Sequence, residues 1–173
     1  MLVAAQADAA WAYRRLYEQF APLVRGYLRM QGADDPDDLT QEVFVGIFRN
    51  ITTFSGDESA FRSWILTIAH RRLIDARRRA GRRPRTVALD TQHQSHGDVE
   101  SEAMARIGEA RVLALLERLS PDQRAVLLMR IVGDLSIDDV AHALGKRPGA
   151  VKQLQRRGLD TLRRIADAEG ISP

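Results

Sequence analysis

The chain has no cysteine, which excludes disulfides and thiolate metal sites and fits a reducing compartment. Long apolar runs are also missing, since none approaches the roughly 20 residues that a helix needs to cross a bilayer. Residues 1–12 lack the basic segment of a signal peptide, and Asp8 interrupts them. We therefore expect a cytoplasmic protein with no membrane insertion.

Lysine is scarce, because 24 arginines stand beside only 2 lysines among the 26 basic residues. The formal net charge is only +3, and guanidinium groups bind phosphates and base edges well. A hydrophobic fraction of 45% is sufficient for a packed core and argues against global disorder. A length of 173 residues allows one large or two small domains.

The charges are unevenly distributed along the chain. Eight arginines and a single acid, Asp75, lie between Arg71 and Arg85, whereas residues 86–105 contain four acids and neither lysine nor arginine. Residues 86–97 are polar and offer little that could pack, which is typical of a flexible linker. We predict an N-terminal domain over residues 1–85, a linker over 86–104 and a C-terminal domain over 105–173.

Apolar residues recur at helical spacing through both halves, and no alternating β pattern or internal repeat is present. The fold class is therefore predicted to be all-α, as two small helical domains. Helices are expected over residues 8–20, 22–30, about 59–79, 100–118, 121–132, 137–144 and 148–166, with Pro22 starting a new helix. A further helix follows the acidic cluster 34–38, which we interpret as N-capping and first-turn charge rather than a calcium site. Ser120 and Gln123 form a capping-box pattern.

Two helices near the C-terminus have the pattern of a helix-turn-helix. Ser136 can cap the first helix, Gly145 permits a tight turn, and Pro148 suits the first turn of the second helix. Val151 and Leu154 point to one side of that second helix. Four polar residues are left to face outward: Lys152, Gln153, Arg156 and Arg157. A DNA-recognition helix needs this division between a packed and a polar face, although an ordinary helical hairpin with a solvated charged face remains the alternative.

Four motifs occur in order: Asp-Leu-Thr-Gln-Glu-Val-Phe at 38–44, Phe-Arg-Ser-Trp-Ile-Leu-Thr-Ile-Ala at 61–69, Leu-Ser-Pro-Asp-Gln-Arg at 119–124 and Gly-Ala-Val-Lys at 149–152. Together they resemble the extracytoplasmic-function branch of bacterial RNA polymerase sigma factors, over about residues 10–166. The resemblance implies a transcription initiation factor, not an enzyme, that needs no cofactor. It further implies that core RNA polymerase, promoter DNA and a cognate anti-sigma protein are its partners.

In the family, the helix with the first motif docks on the coiled-coil clamp of the largest polymerase subunit. The resemblance assigns this docking face to Asp38, Gln41, Glu42, Val45 and Arg49. Leu39, Val43 and Phe44 are expected to be mostly core. For Gln41 and Glu42, plain solvated helix surface is the alternative.

The resemblance assigns recognition and melting of the −10 element to a loop and to the arginine-rich helix that follows it. These residues are Phe54, Ser55, Gly56, Asp57, Arg71, Arg72, Arg78 and Arg79. Capture of an unpaired base needs a pocket with apolar walls and polar donors, which the loop could supply in part. Trp64 could be a melting wedge, but its place on an apolar stripe favours core. Arg71 stands where many members have an asparagine that helps hold the flipped base, so the family's −10 preference cannot be assumed for this chain.

Recognition of the −35 element is assigned to the second helix of the helix-turn-helix. The residues are Arg147, Lys152, Gln153, Arg156 and Arg157. Many members read Val-Lys-Ser-Arg-Leu in this helix, whereas this chain reads Val-Lys-Gln-Leu-Gln at residues 151–155. The −35 sequence therefore cannot be copied from the family.

Two other classes of protein are weaker alternatives. An enzyme or metalloprotein could use the four histidines, of which His93 and His96 lie near Asp90 and Asp98, but these residues fall in the predicted linker without a helix to orient them. We expect no metal site, and we find no phosphate-binding glycine loop or nucleophile–base pair. A ligand-binding helix-turn-helix repressor would need a cavity-forming N-terminal bundle, yet that region ends in an arginine block.

Overall fold

The computed structural model describes residues 1–81, 108 and 110–170, and every regular element within them is helical. The helices are α1 (Leu2–Gln6), α2 (Ala10–Met30), α3 (Pro36–Asn50), α4 (Glu58–Ala80), α5 (which includes residues 110–117), α6 (Pro121–Ile131), α7 (Ile137–Leu144) and α8 (Pro148–Ala168). A short 3-10 turn, Ile51–Thr53, follows α3. The all-α prediction is confirmed. The predicted linker 86–104, with its histidines, lies outside the described residues.

Local hydrogen bonds set the starts of three helices as the sequence predicts. Asp35 accepts a 2.9 Å hydrogen bond from the amide of Asp38, so the acidic cluster is a cap for α3. Ser120 and Gln123 form the reciprocal capping box of α6. Ser136 caps α7, and Gly145 ends it in the left-handed conformation with φ 62°.

The predicted break at Pro22 is wrong, because α2 runs through this residue without interruption. Pro22 lies on the exposed side of the helix. Phe20 before it and Val24 after it are both fully buried on the same core. The burial of one continuous apolar stripe therefore outweighs the backbone hydrogen bond that the proline removes. Helix α1 was not predicted at all.

Helices α1–α4, here called the N-terminal unit, pack around aromatic side chains. The rings of Phe20 and Phe61 meet edge-on with centroids 5.3 Å apart, which joins α2 to α4. Tyr17 and Phe44 meet in the same way at 4.8 Å and join α2 to α3. Such edge-to-face pairs add directional energy to apolar burial and fix how the helices are rotated.

Helices α5–α8, here called the C-terminal unit, depend on a close approach between α6 and α8. Gly158 of α8 is buried, and a Cβ atom there would lie 2.9 Å from Cδ1 of Leu127. The missing side chain therefore lets α8 lie directly on α6. Lys146 in the turn before α8 forms a 2.7 Å ion pair with Asp122 of α6, which ties the turn to the same helix.

The two units touch, with α4 lying against α7 and the C-terminal end of α2 near α6. His70 of α4 lies at this junction, where its Nδ1 is 2.8 Å from the hydroxyl of Tyr27. Burial raises the pKa of Tyr27, so its hydroxyl stays protonated and the bond to the imidazole joins two neutral groups. Burial, assisted by the charge of Arg77, lowers the pKa of His70 from its ordinary 6.5 to about 4.

The buried imidazole makes stability depend on pH. Because the folded pKa lies below the ordinary value, the contribution is fully present above pH 6.5 and is lost as the pH falls toward 4. Between pH 7 and pH 5 we expect the wild-type protein to lose about 2 kcal/mol of unfolding free energy through this group. Urea unfolding at both pH values should show a smaller loss for His70→Gln, and equal losses in the two proteins would contradict the assignment.

Candidate nucleic-acid interface

Helix α8 has the two faces that a recognition helix requires. Arg147 precedes it in an extended conformation, and Val151 and Gly158 are buried against the rest of the unit. Four residues are exposed on the opposite side: Lys152, Gln153, Arg156 and Arg157. The predicted exposure is confirmed, whereas DNA contact by these residues stays a prediction.

The four side chains differ in how freely they can bind a partner. Arg156 lies 3.8 Å from Asp160, one turn further along α8, and Asp160 also lies 3.5 Å from Arg163. Within the part of the chain that the structure describes, Lys152, Gln153 and Arg157 have no hydrogen-bonding or ion-pair partner. Asp160 therefore partly neutralises the charge of Arg156. The sequence already indicates this pair, because the two residues are four positions apart on one helix.

The candidate docking face lies along α3. One side of this helix is exposed and carries, at helical spacing, Asp38, Gln41, Val45 and Arg49. Leu39 and Phe44 are buried, as expected. Val45 is 49% exposed, so an apolar side chain stands among polar ones on this surface. Glu42 is half-buried rather than fully exposed, because it lies beside α4 with its carboxylate 3.7 Å from Arg79.

The loop before α4 is more structured than its sequence indicates. Phe54 stacks on Trp64 with ring centroids 5.2 Å apart at an angle of 28°, so Trp64 packs on the core while remaining partly accessible. The carboxylate of Asp57 accepts a 2.8 Å hydrogen bond from the amide of Ala60 and caps α4. Ser55 and Gly56 are exposed.

Sequence reasoning missed the residue that holds this loop in place. The side-chain amide of Gln6 in α1 donates to the carbonyl oxygens of Ile51 at 3.1 Å and Phe54 at 2.7 Å. No local signal could have found it, since Gln6 is a lone polar residue 48 positions away from Phe54.

The four arginines of α4 that the sequence assigned to the −10 element face two directions. Arg71 and Arg78, seven residues apart, line a cleft between α4 and α7. Arg72 lies beside Gly46 of α3, and Arg79 pairs with Glu42 of the same helix. The sequence block therefore divides into one pair at the junction of the two units and another beside the candidate docking face. Within the described residues, no group of acids and histidines is arranged to hold a metal ion.

The C-terminal unit thus has the architecture of a helix-turn-helix. Gly145, in the left-handed conformation, precedes a helix whose outer face is basic and carries an amide side chain. The sequence matches the family model for Sigma-70 region 2 at residues 16–83 and the model for Sigma-70 region 4 at residues 109–162. No helix in the described ranges is both long and apolar enough to cross a membrane.

Three relatives extend these matches over most of the chain. RpoE of Cereibacter sphaeroides is 30% identical over 88% of this chain and 84% of its own length. SigD of Mycobacterium tuberculosis is 30% identical over 88% of this chain and 76% of its own length. BldN of Streptomyces coelicolor is 32% identical over 93% of this chain, which spans 62% of that longer relative. The chain belongs to the extracytoplasmic-function family of RNA polymerase sigma factors, which are initiation factors without catalytic activity.

Solved structures agree on the fold. CnrH, in a complex with the cytosolic domain of CnrY, aligns with a TM-score of 0.70 at 24% identity, covering 96% of this chain and 95% of that one. RpoE of Bartonella quintana, in a complex with the anti-sigma factor NepR, aligns with a TM-score of 0.67 at 18% identity, covering 90% and 97%. At these identities the similarity is one of fold.

The capping role of Asp57 can be separated from any contact with DNA. We expect Asp57→Ala to lower the unfolding free energy by about 1 kcal/mol, because the amide of Ala60 loses its acceptor. Asp57→Asn should stay within a few tenths of a kcal/mol of wild type, since asparagine caps equally well. Urea denaturation of the three proteins without DNA measures this difference, and equal midpoints for alanine and wild type would refute the cap.

Proposed function

We propose that this cytoplasmic initiation factor docks on core RNA polymerase through α3, reads the −35 element with α8, and binds and melts the −10 element with α4 and the preceding loop. The observation that supports this best is the outer face of α8, where Lys152, Gln153 and Arg157 are exposed and unengaged within the described residues. Reconstituted holoenzyme should initiate transcription at specific sites that core polymerase alone does not use.

At the −35 element, the chemistry of α8 suits a major groove. A glutamine amide can both donate and accept, which matches the N6 and N7 atoms of adenine. Lys152 beside it can reach guanine acceptors or a phosphate. Arg157 lies one turn beyond Gln153, where a guanidinium on the edge of the helix can hold the backbone and fix the register. We therefore assign base readout to Gln153 and backbone binding to Arg157.

At the −10 element, α4 supplies charge and the ring of Trp64, and the loop before it supplies the ring of Phe54. Arg71, Arg72, Arg78 and Arg79 are all exposed, and phosphate contacts by such residues add affinity without sequence information. The stacked rings of Phe54 and Trp64 are only partly buried, so one edge of an aromatic platform is open to an unstacked base. Single-strand capture beside a row of arginines is the arrangement that promoter melting needs.

We further propose that a cognate anti-sigma protein holds this factor in check. The support is the similarity in fold to the RpoE of Bartonella quintana, which was solved with the anti-sigma factor NepR, and to CnrH, which was solved with the cytosolic domain of CnrY. A protein that covered the α3 face or the α4 arginines would prevent polymerase docking or promoter melting.

The −35 assignment predicts different effects for two alanine variants. Gln153→Ala should relax preference at one promoter position by roughly 1–3 kcal/mol, whereas Arg157→Ala should weaken all promoters similarly. The measurement is holoenzyme binding across a library of −35 variants. Arg164→Ala is the matched control, because Arg164 lies on α8 beyond the assigned residues and bonds to Thr161. Wild-type affinity and preference in both test variants would remove α8 as the reader.

The docking assignment predicts that Glu42→Lys binds core polymerase roughly tenfold more weakly, a change of about 1.4 kcal/mol. The physical reason is that the new ammonium group stands in the candidate docking face beside Arg79 and reverses the local charge. Glu18→Lys, the same change at an exposed position of α2, should bind normally. Affinity is measured with labelled protein and core enzyme, and thermal melts must show that both variants remain folded. Equal affinities for the two variants would count against α3 as the docking face.

A further inference from the structure

An open groove is formed by one face of α2 and by the residue that precedes α1. Its volume is about 610 Å³, within the range of ligand sites, and it is lined by Met1, Trp11, Arg15, Glu18 and Gln19. The four residues of α2 share one face, because they follow the spacing i, i+4, i+7, i+8. Met1, Trp11 and Arg15 precede the match to Sigma-70 region 2 at residues 16–83, so most of the groove lies outside that family model.

Trp11 is the most unusual residue of this groove. It is 59% exposed, whereas tryptophan is highly buried on average in folded proteins. Ala12 and Leu16 beside it on α2 are fully buried, so the helix is firmly packed while the indole points away from the core. An exposed ring on a packed helix is a platform on which an unpaired base can stack, since every base has a π-face.

The charges beside Trp11 favour a nucleotide with its phosphate on one side. Arg15 lies one turn further along α2, and among the residues that the structure describes it has no ion-pair or hydrogen-bond partner. Its guanidinium group is therefore available to a phosphate. Glu18 would repel a phosphate, so we expect the DNA backbone to run beside Arg15 while the base lies over Trp11.

The groove is joined to the candidate −10 loop through both helices. Gln19 lines the groove and donates a 2.9 Å hydrogen bond to Glu58, the first residue of α4 after the loop. Helix α1 is bonded to the loop through Gln6 and the carbonyl oxygen of Phe54. Trp11 lies about 12 Å from Gln19 along α2, which three or four stacked nucleotides span at about 3.4 Å each. A strand held at the loop therefore has the reach to place a neighbouring base on Trp11.

We propose that this groove binds one unpaired base of the melted promoter DNA, stacked on Trp11 with its phosphate on Arg15, beside the bases held at the −10 loop. The inference rests on the proposed function of α4 and the loop in −10 binding, to which it adds a second single-strand contact. Because stacking tolerates every base, the contact would hold the strand open without adding sequence specificity.

Binding is tested with reconstituted holoenzyme on forked DNA. The probes come from a promoter at which wild-type holoenzyme initiates, and each fork leaves one of the two strands unpaired from the −10 element onward. On the fork that wild type binds more tightly, Trp11→Ala should weaken binding roughly tenfold. Trp11→Phe should retain most of the affinity, because an aromatic ring remains. Arg15→Ala should weaken binding by a smaller factor that shrinks as salt is raised.

Two control variants separate the groove from its surroundings. Arg14→Ala removes the same charge from the neighbouring exposed residue, which does not line the groove. Val3→Ala shortens an exposed apolar side chain of α1. Both should bind the fork about as tightly as wild type. Every variant should bind a fully paired fragment with only the −35 element like wild type, and thermal melts must show that all are folded.

Contact with the indole is tested directly by cross-linking. 5-Iodouracil is placed at one position of the unpaired strand at a time, and the wild-type complex is irradiated. We expect one position to cross-link to the tryptic peptide that ends at Arg14. The product should be lost in Trp11→Ala, although Tyr13 of the same peptide remains.

Wild-type affinity of Trp11→Ala for the fork would overturn the proposal, and so would an equal loss on the fork and on the paired −35 fragment. A wild-type chain that sediments as a dimer, with Trp11→Ala a monomer of unchanged fork affinity, would assign the groove to a second copy instead. Phe54→Ala separates this inference from the proposed function. Loss of fork binding in Phe54→Ala but not in Trp11→Ala would refute only the groove, whereas absence of site-specific initiation by wild-type holoenzyme would refute the proposed function itself.

Discussion

The double burial of α4 is the constraint on which the rest of the structure depends. One face completes the aromatic core of the N-terminal unit, and the other receives the C-terminal unit at Leu66. A helix with two buried faces has no broad polar face, so its charged residues lie along the edges between the two contacts. That confinement explains why Arg71 and Arg78 face the junction while Arg72 and Arg79 lie toward α3.

This geometry links the candidate docking face to the candidate −10 surface. Arg79 reaches Glu42 on the candidate docking face, and Arg78 lies 3.7 Å from Asp75 at the cleft. Exposed ion pairs of this kind contribute little to stability. They orient the two arginine side chains but do not fix their positions. Under the proposed function, DNA phosphates would replace these carboxylates as partners of the guanidinium groups at low cost. The outer face of α8 is free of such competition at Lys152, Gln153 and Arg157 within the described residues.

Glycines determine how closely the helices and the two units approach each other. Gly158 brings α8 onto α6, and Gly133 brings the C-terminal unit onto α4. Gly145 has a different task, because its positive φ turns the chain between the two helices of the DNA-binding motif. At Gly158 and Gly133 a side chain would clash with a neighbouring residue, whereas at Gly145 it would strain the backbone because φ is positive.

The sequence by itself determined whatever depends on neighbours along the chain: the helical period, the caps at Ser120 and Ser136, the turn at Gly145, and the polar face of α8. It also indicated the family through motifs in order. Tertiary structure alone decided that α2 continues through Pro22, that Gln6 holds a loop 48 residues away, and that α4 is covered twice. These features depend on burial and contacts between distant segments, and no local pattern encodes which surfaces will meet.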